Sequence, residues 1–530
     1  MAFDSVQFLS GWIPFEQHDM AMSGRKSTLE IENSGGDLFL FEYAYPCREE
    51  EKTIFVKVKV FDHPVGEFRG CYSFPFYMGF KIPAFQQKKL LITFETDQSY
   101  FRPDPSGEGK EYGLILFHLE LLNKKTDPSK YQIFETKVEN LKEHFSKLLN
   151  PSQEAQPLPM ALLIEPSSRC NMDCVMCARS IPGHRKEDEC DLAEEFMPFL
   201  GQSMKGAQAS RIQGLGEPLM SKNFIPLINL LESNHVHVVT FNTNGYLLNA
   251  EMARLLVQKG NVFEHFRISF SLDAATQEVY HKIRGKDLAR TLKNIKFLQE
   301  MKARSGSSNP LVFINMTLSK TNIQDLPNFI QLASDLGVQV ELSNLALDQC
   351  YESIQIEKRD HFQFDYKKEI LSAYPKLYNK FLRKAEKLAK KLNVTIYKDS
   401  SVTYLDIPEE KFFSLFKNLV RKSFKSNRNQ RISEGGFQPQ REKDPHFERL
   451  PLCLLPWSQM VISSKGDISL CCVQGPVDHL KNSSSIEAAW HSEKICQIRE
   501  QLSHQIFPPE CQAADCTVKR WNTRVCIIHQ

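Results

Sequence analysis

Between Ala161 and Leu347 short apolar runs alternate with amphipathic helical stretches, and this rhythm leaves few architectures open. ALLI, SRIQGLG, HVVTFNTNG, FRISFSLD, LVFINMTL and VQVELSNL read as strands. The stretches between them, such as AEMARLLVQKG and LARTLKNIKFLQEMKAR, carry apolar residues at helical spacing. Strands that alternate with helices pair in parallel, and this number of units suits an α/β fold, a partial TIM-like (β/α) barrel over residues 160–348. Barrels of this kind keep their chemistry at the C-terminal ends of the strands, so the residues that follow each run are the first candidates for a site.

The flanks have a different texture. From Gly11 to about Leu122, runs such as STLEIEN, DLFLFEYAY, TIFVKVKVF and YGLILFHLELL are separated by Gly, Pro and Asp clusters. That pattern predicts antiparallel strands and an N-terminal β-sandwich over residues 1–125. A helical linker is expected over 126–159, a basic helical linker over 349–445, and a small cysteine-rich α+β domain over 446–530. The basic stretch from Glu369 to about Arg431 reads as a solvated helical face rather than a contact surface.

With a formal net charge of +2, the chain is not organised around nucleic acid, and no nucleic-acid partner is expected. MAFDSVQFLSGW has neither a basic leader nor a long apolar core, and no apolar run is long enough for a membrane span. The expectation is a soluble, cytoplasmic protein. In a reducing compartment, clustered cysteines point to metal rather than to disulfides. Of 14 cysteines, Cys170, Cys174 and Cys177 form a tight group, and Cys453, Cys471, Cys472, Cys511 and Cys516 form a looser one. Cys47, Cys71, Cys190, Cys350, Cys496 and Cys526 are scattered and read as small buried hydrophobes.

The tight group is Cys170-Asn-Met-Asp-Cys174-Val-Met-Cys177, directly after the first barrel strand. Three thiolates on one loop suit three irons of a [4Fe–4S] cube and leave the fourth iron open; zinc with a distant fourth ligand is the alternative occupant. This CxxxCxxC loop resembles that of the radical S-adenosylmethionine (radical SAM) superfamily, and the resemblance runs from about Ala161 to Leu347. Gly214-Leu-Gly216-Glu217-Pro218 is similar to the family's Gly-Glu-Pro motif, whose backbone and Glu hold the methionine amino group. Leu215 stands where many relatives have a second glycine. Asn244 lies in the turn that closes the third strand, and Ser271, Asp273 and Arg284 match the region that contacts ribose and carboxylate. Asp273 has a plainer alternative as the cap of the following helix. The resemblance names no catalytic side chain, because the cofactor carries the reaction.

In the C-terminal group, Cys453-Leu-Leu-Pro-Trp457, a hairpin ending Leu470-Cys471-Cys472, Ser485-Ile-Glu-Ala-Ala-Trp490 and finally Cys511 and Cys516 resemble the auxiliary-cluster modules called SPASM and Twitch. The resemblance implies a second [4Fe–4S] cluster on Cys453, Cys471, Cys511 and Cys516. Cys472 competes with Cys471, and adjacent strand residues face opposite sides, so one of them serves. Zinc is the alternative here as well. Together the two resemblances imply an oxidoreductase that cleaves S-adenosylmethionine to a 5′-deoxyadenosyl radical, fed by a flavodoxin- or ferredoxin-type reductant.

The segment from Gly11-Trp12 to Glu16, with Phe101-Arg-Pro-Asp before Tyr112-Gly113-Leu, resembles a β-module attached to bacterial glycosyltransferases. It implies a small-molecule or glycan substrate such as a sugar or nucleotide-sugar. The alternatives are a SPASM-type peptide maturase and a non-catalytic scaffold.

Overall fold

The computed structural model describes residues 6–511 except 16–19, 45–53, 71–75, 97–99, 104–108, 113–114, 150–155, 181–185, 264, 346–363, 400–401, 406–452, 454, 472–474 and 505. The N-terminal strands are β1 (Val6–Phe15), β2 (Met20–Glu32), β3 (Leu38–Ala44), β4 (Ile54–Val60), β5 (His63–Gly70), β6 (Phe76–Lys81), β7 (Lys89–Thr96), β8 (Tyr100–Pro103), β9 (Gly109–Tyr112) and β10 (Ile115–Leu122). Alternation places Val56, Val58 and Val60 of β4 on the buried face, with Phe39, Phe41 and Tyr43 of β3.

Here the expected two-sheet sandwich is corrected. Eight of the strands form one antiparallel sheet in the order β5-β4-β7-β2-β10-β3-β6, with β1 on β2. Only β8 and β9 pair apart from it. The sheet curls over a single aromatic core. Phe41 of β3 meets Phe94 of β7 edge-on at 5.3 Å although two strands separate β3 from β7 in the sheet. Gly66 of edge strand β5 lies against the Phe80 ring of the other edge strand, β6. A curled sheet and a sandwich bury the same alternate positions, so the pattern alone does not separate them.

Helix α1 (Pro128–Leu149) packs Tyr131, Phe134 and Val138 against Leu38, Leu40 and Leu122 of that sheet. Its other face reaches forward. Buried Lys137 donates to the Met204 carbonyl at 2.9 Å and to that of Ala207, and His144 Nε2 lies 2.7 Å from the Leu158 carbonyl. The segment between the two domains therefore packs on both of its neighbours.

The barrel strands are β11 (Ala161–Ile164), β12 (Ala209–Ile212), β13 (Val238–Thr243), β14 (His265–Ser271), β15 (Leu311–Leu318), β16 (Gln339–Asn344) and β17 (Ile396–Lys398), all parallel and in sequence order. They form an open arc rather than a closed ring, as expected of a partial barrel. Ile212, Phe241, Phe266, Ile314 and Val340 are buried in the core that the helices share. On the other face Asn242 donates to Gln213 at 2.9 Å, Ser269 to Glu341, and Thr317 meets Ser343 at 3.4 Å. That face is polar and partly open.

The helices between these strands are α2 (Met197–Met204), α3 (Phe224–Ser233), α4 (Ala250–Gly260), α5 (Gln277–Arg284), α6 (Leu288–Ser305) and α7 (Leu326–Leu336). After the short α8 (Tyr366–Glu369), α9 (Pro375–Leu392) buries Tyr378, Leu382, Ala385 and Ala389, while most of its lysines face solvent. This matches a solvated basic face over α9, and residues 406–431 of the basic stretch lie outside the described residues. No described helix is long and apolar enough to cross a membrane.

The C-terminal module joins the barrel through its backbone. Strand β18 (Gln459–Ile462) pairs with β11 in parallel, from Ala161↔Gln459 to Ile164↔Ile462. It is followed by β19 (Asp467–Ser469) and β20 (Asp478–His479), which turn back in an antiparallel meander. Trp490 is fully buried and donates to the Pro157 carbonyl at 2.8 Å. The Arg499 guanidinium lies 4.2 Å from the Trp490 ring and donates to the carbonyls of Pro456 and Trp490. Burial pushes Arg499 down to about 10. Removing an aromatic side chain of this size from water stabilises the junction by about 4–6 kcal/mol at most.

Candidate functional site

The Cys170–Cys177 loop leaves the C-terminal end of β11 and is braced from several sides. Val175 N donates to the Ile283 carbonyl at 3.0 Å, and Ser180 Oγ to the Cys174 carbonyl at 2.7 Å. The buried Arg179 guanidinium donates to the Met172 carbonyl at 3.0 Å and pairs with Glu189 at 2.6 Å. Burial pushes the Cys170 thiol up to about 11. Burial also raises the Cys174 thiol, against the nearby Arg284 charge. Among the described residues no three Cys, His, Asp or Glu side chains converge closely enough to hold a bare metal ion.

The sequence candidates gather around this loop. Gly216 runs so close to it that a Cβ would collide with the Ser167 carbonyl and lie 2.6 Å from that of Arg169. Only glycine permits that approach. Asn244 Nδ2 donates to Asn171 Oδ1 at 2.9 Å and lies 3.8 Å from Cys170 Sγ. Arg284 Nη1 lies 3.4 Å from Cys174 Sγ, and its Nη2 pairs with Asp273. Burial opposes the Arg284 charge, but Asp273 and Cys174 hold its pKa above the ordinary range. Ser271 ends β14, half-buried. Leu215, at the family's usual glycine position, is 46% exposed and unobstructed.

Two candidates are engaged by the protein itself. Glu217 accepts from Thr243 Oγ1 at 2.6 Å, from Asn244 N at 2.7 Å and from Leu219 N at 3.2 Å, and is buried. Its carboxylate ties the second strand's loop to the third strand's turn, and Pro218 opens the short turn behind it. Asp273, in a left-handed conformation with φ 62°, accepts from Thr317 N at 2.7 Å and pairs with Arg284. It does not cap α5. Asp325 instead holds the turn that leads into that helix, accepting from Ala275 N at 2.7 Å and Thr276 N at 2.9 Å.

Arg179, Glu189, Asp325 and Glu165 had escaped the sequence reading. Only Glu165 carries a signal there, as the one acid in the run ALLIEP.

In the C-terminal module, Cys453 and Cys471 share an apolar cluster with Leu455 and Phe507, and Cys511 ends the turn Pro509–Cys511. Cys472 and Cys516 lie outside the described residues. Because β18 runs parallel to β11 and β19 returns, Cys453 before β18 and Cys471 after β19 belong to the N-terminal end of this strand pair. The Cys170 loop leaves the opposite end. Of the scattered cysteines, Cys190 and Cys496 are half-buried rather than core, and the other four lie outside the described residues.

Comparison with known proteins decides the family. Residues 164–333 match the radical SAM superfamily model, and residues 453–517 match that of SPASM, an iron–sulfur cluster-binding domain. The chain is a radical SAM protein with a SPASM domain. Its cofactors are accordingly [4Fe–4S] clusters and S-adenosylmethionine.

The chain is similar to a probable GTP 3′,8-cyclase of Methanocaldococcus jannaschii, 28% identical over 185 residues, which is 34% of this chain and 57% of that protein. It is also similar to the PqqA peptide cyclase of Granulibacter bethesdensis, 25% identical over 190 residues, 35% of this chain and 47% of that one. The chain thus matches about half the length of these relatives. A solved structure of Streptococcus suis SuiB bound to its precursor peptide SuiA aligns with a TM-score of 0.45 at 16% identity, over 68% of this chain and 71% of that one.

The residues present fit these cofactors. Three thiols stand on one braced loop, and beside them Asn171 Nδ2 and Arg284 Nε are buried donors with no acceptor among the described residues. A group that brings acceptors, such as a carboxylate, answers both.

Proposed function

We propose that this radical SAM protein is a peptide-modifying oxidoreductase of the SPASM type, which takes a hydrogen atom from a peptide substrate held at the polar face of the barrel. The carrying observation is the register of β18 on β11, which sets the two cysteine groups at opposite ends of one strand pair. The similarity to a peptide cyclase over 190 residues supports a peptide over the sugar or nucleotide-sugar reading, which rests on the N-terminal β-region. Most of the side chains that carry that N-terminal likeness lie outside the described residues.

In this reading Cys170, Cys174 and Cys177 hold the first cluster, and Cys453, Cys471, Cys511 and Cys516 the second. When bound, the first cluster and S-adenosylmethionine supply a 5′-deoxyadenosyl radical, chemistry beyond any side chain. The protein's own groups do the positioning. Gly216 lets the cofactor loop approach the cysteine loop, Asn244 braces the cysteine loop through Asn171, and Arg284 presents donors toward a carboxylate. Glu217 and Asp273 keep those groups in place. After hydrogen abstraction a net oxidation requires the substrate to lose one electron, and the C-terminal cysteine group is the acceptor site the chain offers. A flavodoxin- or ferredoxin-type protein is the proposed reductant.

The test is anaerobic incubation of reconstituted protein with dithionite, S-adenosylmethionine and short peptides encoded beside its gene, with a panel of nucleotide-sugars in parallel. Mass spectrometry should show 5′-deoxyadenosine and a peptide lighter by two hydrogens. A modified nucleotide-sugar and untouched peptides would refute the peptide reading.

A further inference from the structure

Glu165 follows the last residue of β11 and is 8% exposed. Its two carboxylate oxygens serve different modules. Oε1 accepts from Leu215 N at 2.6 Å, inside the Gly214–Glu217 loop. Oε2 accepts from Ser464 N at 3.0 Å and Ser464 Oγ at 2.9 Å, in the turn between β18 and β19 of the SPASM domain. The backbone repeats the link, because Glu165 N donates to the Ile462 carbonyl at 2.9 Å and Gln213 N to that of Ile164 at 3.1 Å. A Cβ on Gly214 would collide with the Glu165 carboxylate, so the loop is seated directly on it.

A buried carboxylate is tolerated only while its lone pairs are answered. Here the donors are divided between the cofactor loop and the C-terminal turn. Loosening the turn leaves the carboxylate with Leu215 N as its only donor among the described residues, and it can then rotate away from its present position.

We propose that Glu165 is a positioning residue that makes the Ser463–Gly466 turn of the SPASM domain part of the S-adenosylmethionine site, so that seating of this turn sets cofactor affinity in the barrel. The inference rests on the reading that the Gly214–Glu217 loop holds the cofactor, and the experiment separates the two.

Calorimetry with S-adenosylmethionine on anaerobically reconstituted full-length protein gives the affinity, and hydrogen exchange gives the protection of the Leu215 amide. Ser464→Ala lies outside the barrel and removes one charge-assisted hydrogen bond. It should weaken binding about threefold and speed Leu215 exchange, and Glu165→Ala should weaken binding about tenfold. The double variant should bind no worse than Glu165→Ala, because the Ser464 effect passes through Glu165. Should Glu165→Ala not fold, Glu165→Gln, which keeps an acceptor oxygen, replaces it throughout.

Gly216→Ala is the control for the loop, and it should hold its iron but bind no cofactor. If it binds normally, the loop reading fails and takes this inference with it. If it binds nothing while Ser464→Ala matches wild type in affinity and Leu215 exchange, the loop reading stands and the coupling is refuted. Multiplicative losses in the double variant would also refute it.

Discussion

Asp273→Asn isolates a single charge in the site. Asp273 is fully buried, its partner Arg284 is mostly buried with 12% of its side chain exposed, and Thr317 N rests on its other oxygen. Asparagine keeps an acceptor for Thr317 and tolerates the left-handed φ of 62°, so what is lost is the negative charge. Removing one partner of a buried pair costs about 3–5 kcal/mol. Cys174 Sγ stays 3.4 Å from Arg284 and offsets part of this, so the expected loss is about 2–4 kcal/mol of local stability. Asp273→Ala also removes the Thr317 acceptor and puts a Cβ residue with no local hydrogen bond at positive φ, which adds about 2–3 kcal/mol. Native-state hydrogen exchange on α5 and on the Thr317 amide measures these local openings without assuming that the whole chain unfolds in one step. Asp273→Asn within about 1 kcal/mol of wild type would show that Arg284 is held in place by other groups.

Three further outcomes follow from the structure. Burial pushes His144 down to about 4 from its ordinary value near 6.5. The unfolded chain therefore binds the extra proton between those values, and stability is full above pH 6.5 and falls by about 3 kcal/mol as pH drops toward 4. His144→Gln should flatten that part of the apoprotein's stability profile, and an unchanged slope would refute it. Replacing Cys170, Cys174 and Cys177 by Ala should halve iron from about eight atoms per chain and abolish 5′-deoxyadenosine formation, read by iron assay and chromatography. Replacing Cys511 and Cys516 should leave substrate-free cofactor cleavage intact while oxidised product disappears. Zinc in place of iron at that site, seen by elemental analysis, would make the module structural.

Much of the barrel was readable in the chain because a change of period is a local signal. Strands β11 to β16 fall on the runs expected, and the hairpin joined by Ser463-Ser-Lys-Gly466 falls where turn residues interrupt two apolar runs. What stayed hidden depends on contacts distant in sequence. Glu217 has the composition of a ligand-binding acid, yet its lone pairs go to Thr243 and Asn244, more than twenty residues away. Arg284 reaches a cysteine 110 positions earlier. Asp273 precedes a helix as a cap would, but a positive φ turns its side chain back to Thr317, and Asp325 from a later element holds the turn before that helix. The curl of the N-terminal sheet was equally invisible, since alternation records which face is buried and not what covers it.

The register of one strand pair also bounds how the chemistry is arranged. Strand β11 spans four residues, and β18 matches it residue for residue. At about 3.3 Å per residue the pair separates its two ends by about 10–13 Å before loops are added. The Cys170 loop leaves one end, while Cys453 and Cys471 belong to the other. In the proposed reading, a substrate carbon close to the first group lies away from the second. Such a spacing suits an electron that leaves the substrate away from the point of hydrogen abstraction, and it does not suit a shared site in which both groups touch one atom. Because the spacing is written in backbone hydrogen bonds rather than in a linker, sequence changes between the barrel and the SPASM domain leave it intact. Changes at β18 do not: Met460→Pro removes the N–H and blocks a parallel pairing inside the strand, so it should release the hairpin and, with it, product formation.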